Sequence, residues 1–144
     1  MKKILLLSIG LAMVCGVLSA QNNVGIRFAD GSLKTILAKA KAADKYVFMD
    51  VYTTWCGPCK YMAANVFTDK NVGNYFNATF INAKFDAEKG EGIAIAQRYG
   101  VTAYPTFLLL DGDGNLVGKK IGGSPPAEFI SKVKALKQKA DAQK

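Results

Sequence analysis

Histidine is absent from the 144-residue sequence. That removes Ser–His and Cys–His nucleophile pairs, histidine-ligated metals and histidine proton shuttles. Cysteine is scarce, with only Cys15, Cys56 and Cys59. Acidic residues are in the minority, 11 Asp and Glu against 19 Lys and Arg. No long apolar run occurs after the first twenty residues. Nor is this the composition of a disordered chain, which has low hydrophobicity and high charge: half of these residues are hydrophobic. The length suits one domain of ordinary size with a packed core and is tight for two. Repeats, linkers and low-complexity segments are likewise missing.

The N-terminus reads Met1-Lys2-Lys3, an apolar run from Ile4 to Val14, then small residues ending at Ser19-Ala20. A positive start, a short apolar stretch and a small residue before the cut describe a secretory signal peptide. The expectation is a signal peptide over 1–20, a single domain over 21–144, and export, in a bacterium to the periplasm. An uncleaved N-terminal membrane anchor is the alternative, although the run is short beside the roughly 20 residues of a spanning helix. Lipidation of Cys15 would need a different lead-in from Ala12-Met13-Val14. Without Lys2 and Lys3 the balance is 17 basic to 11 acidic residues, or +6. An exported protein seldom meets nucleic acid, so this charge reads as solubility with a bias toward anionic surfaces. Lys132, Lys134, Lys137, Lys139 and Lys144 form a basic tail whose plain reading is a solvated helix face.

Hydrophobic spacing predicts the elements. Val24–Phe28 suggests a short edge strand. Ser32 suits a helix N-cap, and Leu33, Ile36, Leu37 and Ala40 recur at helical spacing over 33–43. Tyr46–Thr53 is apolar and β-branched, as in a central buried strand, interrupted only by Asp50. A second helix should begin beside Cys56-Gly57-Pro58 and run through Met62 and Val66. Thr68 or Asp69 caps a short helical turn near Val72–Phe76. Thr79–Asp86 is another strand, and Gly92–Tyr99 is a helix stopped by Gly100. Thr106–Leu110 and Leu116–Ile121 flank the turn residues Asp111-Gly112-Asp113-Gly114-Asn115 as a hairpin. Ser124-Pro125 opens a last helix carrying Phe129, Ile130, Val133 and Leu136. The order β-α-β-α-β-α-β-β-α predicts an α/β fold with a mixed, mainly parallel central sheet covered by helices on both faces.

Trp55-Cys56-Gly57-Pro58-Cys59-Lys60 lies where a strand hands over to a helix. Half of a zinc site is one reading, but zinc wants four ligands, and with the leader removed neither a third cysteine nor a histidine remains. A structural disulfide is a second, but so short a loop gives the smallest entropic stabilisation. A catalytic dithiol is the third. Free amides and the helix dipole favour a thiolate there. Lowering a thiol from about 8.5 to about 7 raises its thiolate fraction at pH 7 from roughly 3% to roughly 50%. Intrinsic nucleophilicity falls about fivefold over the same shift, so attack gains only about threefold. The larger benefit is that a stabilised thiolate also leaves easily.

With these residues the chain resembles the thioredoxin family over about residues 24–139, and Trp-Cys-Gly-Pro-Cys-Lys matches the family's active-site motif residue for residue. The resemblance implies a thioredoxin fold and a redox-active Cys56–Cys59 disulfide, with Cys56 as nucleophile and Cys59 as the more buried resolving thiol. It implies that Asp50, a residue type costly to bury in a strand, assists proton transfer to and from Cys59. Burial would raise its pKa toward neutrality. Lys84 resembles the lysine that neighbours this aspartate in the family. Tyr104-Pro105-Thr106 matches the family's cis-proline loop, whose backbone pairs with an extended substrate segment. Trp55, Gly57, Pro58 and Gly122 would complete the substrate groove. Tyr52 stands where the family commonly carries Trp. Val66-Phe67-Thr68-Asp69 and Asn71-Val72 look more like exported reductase domains than the cytosolic protein.

The implied activity is protein disulfide reduction, with disulfide oxidase or isomerase as the alternative and a non-catalytic adaptor as a reading from another class. No metal, flavin or nicotinamide site is expected. The implied partners are disulfide-containing exported proteins and a membrane electron-donor protein that recharges the dithiol. The chain is expected to be monomeric.

Overall fold

A computed structural model describes residues 25–144, so the expected signal peptide, its cleavage site and Cys15 lie outside the described residues. The first helix, α1 (Leu33–Ala43), starts where Ser32 accepts a hydrogen bond from the Thr35 amide. It ends at Asp44, a non-glycine residue at φ 50°. β1 (Val47–Tyr52) follows, then α2 (Gly57–Tyr61), which passes directly into one π-helical turn over Met62–Val66. In that turn the Phe67 amide reaches back to the Met62 carbonyl. α3 (Lys70–Thr79), β2 (Ile81–Asp86), α4 (Glu91–Arg98), β3 (Thr106–Leu110), β4 (Leu116–Ile121) and α5 (Pro126–Asp141) complete the order.

The four strands form one mixed sheet in the order β2-β1-β3-β4. β1 pairs with β2 in parallel, because α2 and α3 carry the chain back across the sheet. β3 runs antiparallel to β1, and β4 antiparallel to β3. The expected mainly parallel sheet is therefore corrected: one of its three pairings is parallel.

Two apolar layers cover the sheet. Val47, Met49 and Val51 face α1 and α4, with Ile36, Ile95 and Leu108. Phe48 faces the other way, into a layer with Met62, Phe76, Phe107 and Phe129. Its ring centroid lies 4.7 Å from that of Phe76 and 5.7 Å from that of Phe107. Side chains alternate along a strand, so Asp50 shares the face of Phe48.

Besides one-residue shifts at the ends of β1 and α4, three sequence expectations are revised. Within Val24–Phe28 the described residues form no strand: Gly25 sits at φ 83°, and the segment attaches through single bonds from the Ile26 amide to the Phe67 carbonyl and from the Ala29 amide to the Asn82 carbonyl. The turn near Val72–Phe76 is a full ten-residue helix, so β2 starts at Ile81 and not at Thr79. α5 begins at Pro126 with Pro125 at its N-cap, so Ser124 is buried one residue short of the cap.

The Asp69 carboxylate accepts from the Asn71 and Val72 amides and caps α3. Asp69→Ala is expected to cost about 1 kcal/mol, read as a lower urea midpoint at unchanged m-value.

Candidate active site

β1 delivers the chain to Cys56, the N-cap of α2, in extended conformation at φ −73° and ψ 115°. Pro58 occupies the first turn, where it forfeits no helical hydrogen bond. Cys56 and Cys59 form a disulfide with their Cα atoms 5.2 Å apart. The Cys59 amide also donates to the Cys56 sulfur at 3.2 Å. A hydrogen bond of this kind stabilises the sulfur when it carries negative charge, so Cys56 is the better placed of the two as thiolate. The resemblance implied that Cys59 is the more buried. In the structure both are covered alike, Cys56 at 4% exposure and Cys59 at 6%. Position on the helix, not exposure, distinguishes them.

The Tyr104–Pro105 peptide bond is cis. The Gly122 amide donates to the Pro105 carbonyl at 2.9 Å, joining β4 to this loop. Gly122 has φ +82°, and an added Cβ would meet nothing within 4 Å. Space beside Gly57 is equally open. A Cβ on Gly123 would lie 3.1 Å from the Met62 sulfur and 3.8 Å from the Pro58 carbonyl. On the other flank Trp55, 63% exposed, meets the Tyr104 ring edge-on with centroids 5.9 Å apart. Trp55, Tyr104, Pro105, Gly122, Gly123 and Pro58 thus form an arc beside the disulfide, in which Trp55, Pro58 and Gly123 are exposed and Pro105 is buried.

Asp50 is buried within β1. Its Oδ1 has no hydrogen-bond partner. Burial pushes its pKa up to about 7, and the positive charge of Lys84 opposes the shift. Lys84 is its register partner on β2 and holds its ammonium 5.3 Å from the centre of the Tyr52 ring. Phe107 is its partner on β3. The structure therefore places Asp50 and Lys84 side by side in the sheet.

Two residues beside the site carried no sequence signal. The Glu88 carboxylate accepts from the Trp55 indole N–H at 2.7 Å and so orients the exposed ring. Ile121, next to Gly122, is 59% exposed. Glu88 lies 33 positions from Trp55, and no periodicity links them.

The family model for a thioredoxin-like domain matches residues 33–137. A mitochondrial thioredoxin-3 from Saccharomyces cerevisiae is 42% identical over 87 residues, which cover 60% of this chain and 62% of that protein. A candidate disulphide-isomerase from Bacteroides thetaiotaomicron is similar in structure, with a TM-score of 0.68 and 42% identity over 78% of this chain and 93% of its own. A thioredoxin from Thermus thermophilus has a TM-score of 0.71 and 29% identity, covering 82% of this chain and 92% of that one. The fold shared with these chains is the thioredoxin fold.

Proposed function

Because this chain belongs to the thioredoxin-like domain family, we propose that it is an exported protein-disulfide reductase working through Cys56 and Cys59. The observation that carries this reading is the Cys56 sulfur at a helix N-cap, bonded to the Cys59 amide and joined to the Cys59 sulfur. Export rests on the composition of residues 1–20.

In the reductive cycle the Cys56 thiolate attacks one sulfur of a target disulfide. The target S–S bond breaks, a mixed disulfide forms, and the departing target sulfur takes a proton. Cys59 then loses its proton and attacks the Cys56 sulfur. This re-forms Cys56–Cys59 and releases the second target thiol. The target gains two electrons from the dithiol and two protons, one taken from water by the first departing sulfur and one that leaves Cys59 by way of Asp50. Asp50, with a pKa near 7, accepts the Cys59 proton at a matched driving force. Trp55, Tyr104, Pro105, Gly57, Pro58 and Gly122 receive the target segment. Lys84 limits how far burial raises the Asp50 pKa. Reducing equivalents then return from a membrane electron-donor protein, and the targets are disulfide-containing exported proteins.

Equilibration with glutathione tests the direction. A value near that of thioredoxin itself, about −270 mV, is expected, and one above about −180 mV overturns the reductase. Disulfide isomerase is the second reading, favoured by the 42% identity to the candidate isomerase. It predicts a potential near −180 mV and recovery of activity by scrambled ribonuclease.

A further inference from the structure

The two outer strands of the sheet are treated differently. The outer side of β2 receives the Ala29 amide on the Asn82 carbonyl, from the extended residues that precede α1. β4 pairs with β3 alone, and no other backbone segment bonds to its outer side among the described residues. Beside that open edge, between β4 and α5, runs a groove of about 350 Å³ lined by Lys119, Lys120, Lys132, Ala135, Leu136 and Lys139. Four of its six lining residues are lysines, and none is acidic.

The lysines differ in what they already hold. Lys119 donates to the Tyr99 and Gly100 carbonyls at the end of α4. Lys132 is paired with Glu128. The Lys120 ammonium bonds the Gly122 carbonyl and stands 5.4 Å from the Phe107 ring centre. Burial and the neighbouring Lys132 charge both push the Lys120 pKa down, Glu128 opposing. Positive charge is therefore in excess in this groove, and an anion laid there is stabilised.

We propose that the open edge of β4 and the lysine-rimmed groove beneath it form a docking surface for an extended acidic segment of a partner protein. Such a segment adds to β4 by main-chain hydrogen bonds. Every second side chain then faces α5, where carboxylates meet Lys120, Lys132 and Lys139 and an apolar residue covers Ala135 and Leu136. Charge selects this occupant. A second copy of the chain would set lysine against lysine, the arrangement by which edge strands resist self-pairing. Residues 1–24 contain Lys2 and Lys3 and no acid, so they do not complement the groove either. The surface adjoins the arc only where β4 ends at Ile121, and it does not depend on the redox reading.

The probe is a fluorescent, cysteine-free heptapeptide with Thr at alternate positions and Glu, Val and Glu between them; its control carries Lys for Glu. Saturable binding of the Glu peptide alone is expected, with amide shifts confined to residues 116–121 and 132–139. Binding should weaken at least about tenfold in the Lys132→Glu/Lys139→Glu variant, and between 20 and 300 mM salt. Lys139→Gln, a milder change on an exposed helix face, should weaken it about threefold. Disulfide reduction by both variants should remain at the wild-type rate, which also shows that they fold. Four outcomes overturn the proposal: no saturable binding, equal binding of the Lys peptide, full binding by the double variant, or shifts centred on Trp55 and Tyr104. Binding to phosphatidylglycerol vesicles without binding to the peptide overturns it in favour of a lipid surface.

Discussion

Cys59→Ser is expected to accumulate as a covalent adduct with its disulfide substrates, while Cys56→Ser forms no adduct and reduces insulin no faster than the uncatalysed reaction. The asymmetry follows from the helix start. On the proposed reading Cys56, whose sulfur accepts the amide hydrogen bond, begins the exchange, so removing its sulfur removes the first step. On the same reading Cys59, three positions on, completes the exchange within one molecule. Intramolecular attack of this kind corresponds to effective concentrations of about 10⁵ M and above in well-oriented cases. Without it, release depends on a second, external thiol. Non-reducing gels and intact-mass measurement read the adduct, and dithiothreitol should dissolve it. Turnover by Cys59→Ser at the wild-type rate would remove the dithiol mechanism. Trapping by Cys56→Ser would reverse the roles of the two sulfurs. An adaptor's binding would be indifferent to both changes.

Asp50→Asn should stabilise the protein at pH 8 by about 4 kcal/mol. The wild-type carboxyl is raised from an ordinary 3.8 to about 7, chiefly by burial. The folded state therefore holds a proton that the unfolded state has released, and unfolding releases it across this window. Stability from this group is complete below about pH 4 and falls by about 1.4 kcal/mol per pH unit until pH 7, after which it is flat. Asparagine has no proton to lose, so the difference between variant and wild type opens over that window and closes in acid. Denaturant midpoints at pH 4 and pH 8 check it. Equal differences at the two pH values would show that Asp50 is not raised. In turnover the same variant should slow Cys59 deprotonation and lose the pH dependence centred near 7.

Much of this was legible from residue order. The spacing of Leu33, Ile36 and Ala40 located α1 to the residue, because an N-cap serine and a one-sided apolar stripe agree there. The dithiol and the buried carboxyl were legible because each breaks a local rule: two cysteines at a helix start, and an acid inside an apolar strand. What stayed hidden depended on partners distant in sequence. Val24–Phe28 has strand-like side chains, but Gly25 bends the backbone there, and a Cβ on it would lie 2.2 Å from the Phe67 carbonyl. Gly73 lies inside α3. It is where Gly25 packs against the helix, a contact no periodicity encodes. A mainly parallel sheet was expected because alternating strands and helices usually mean parallel pairing, whereas β3 runs antiparallel to β1. Ser124 looked like a cap and lost that position to Pro125 by one residue.

The slight exposure of both sulfurs bears on which reagents the disulfide meets. Displacement at sulfur needs attacker, central sulfur and leaving sulfur nearly in line, and a covered bond offers few such trajectories. A small thiol must find one unaided. On the proposed reading, a polypeptide resting against Trp55, Tyr104 and Gly122 arrives already aimed. The enclosure then acts as a kinetic filter: the couple exchanges slowly with bulk low-molecular-weight thiols and faster with molecules large enough to lean on the surrounding arc.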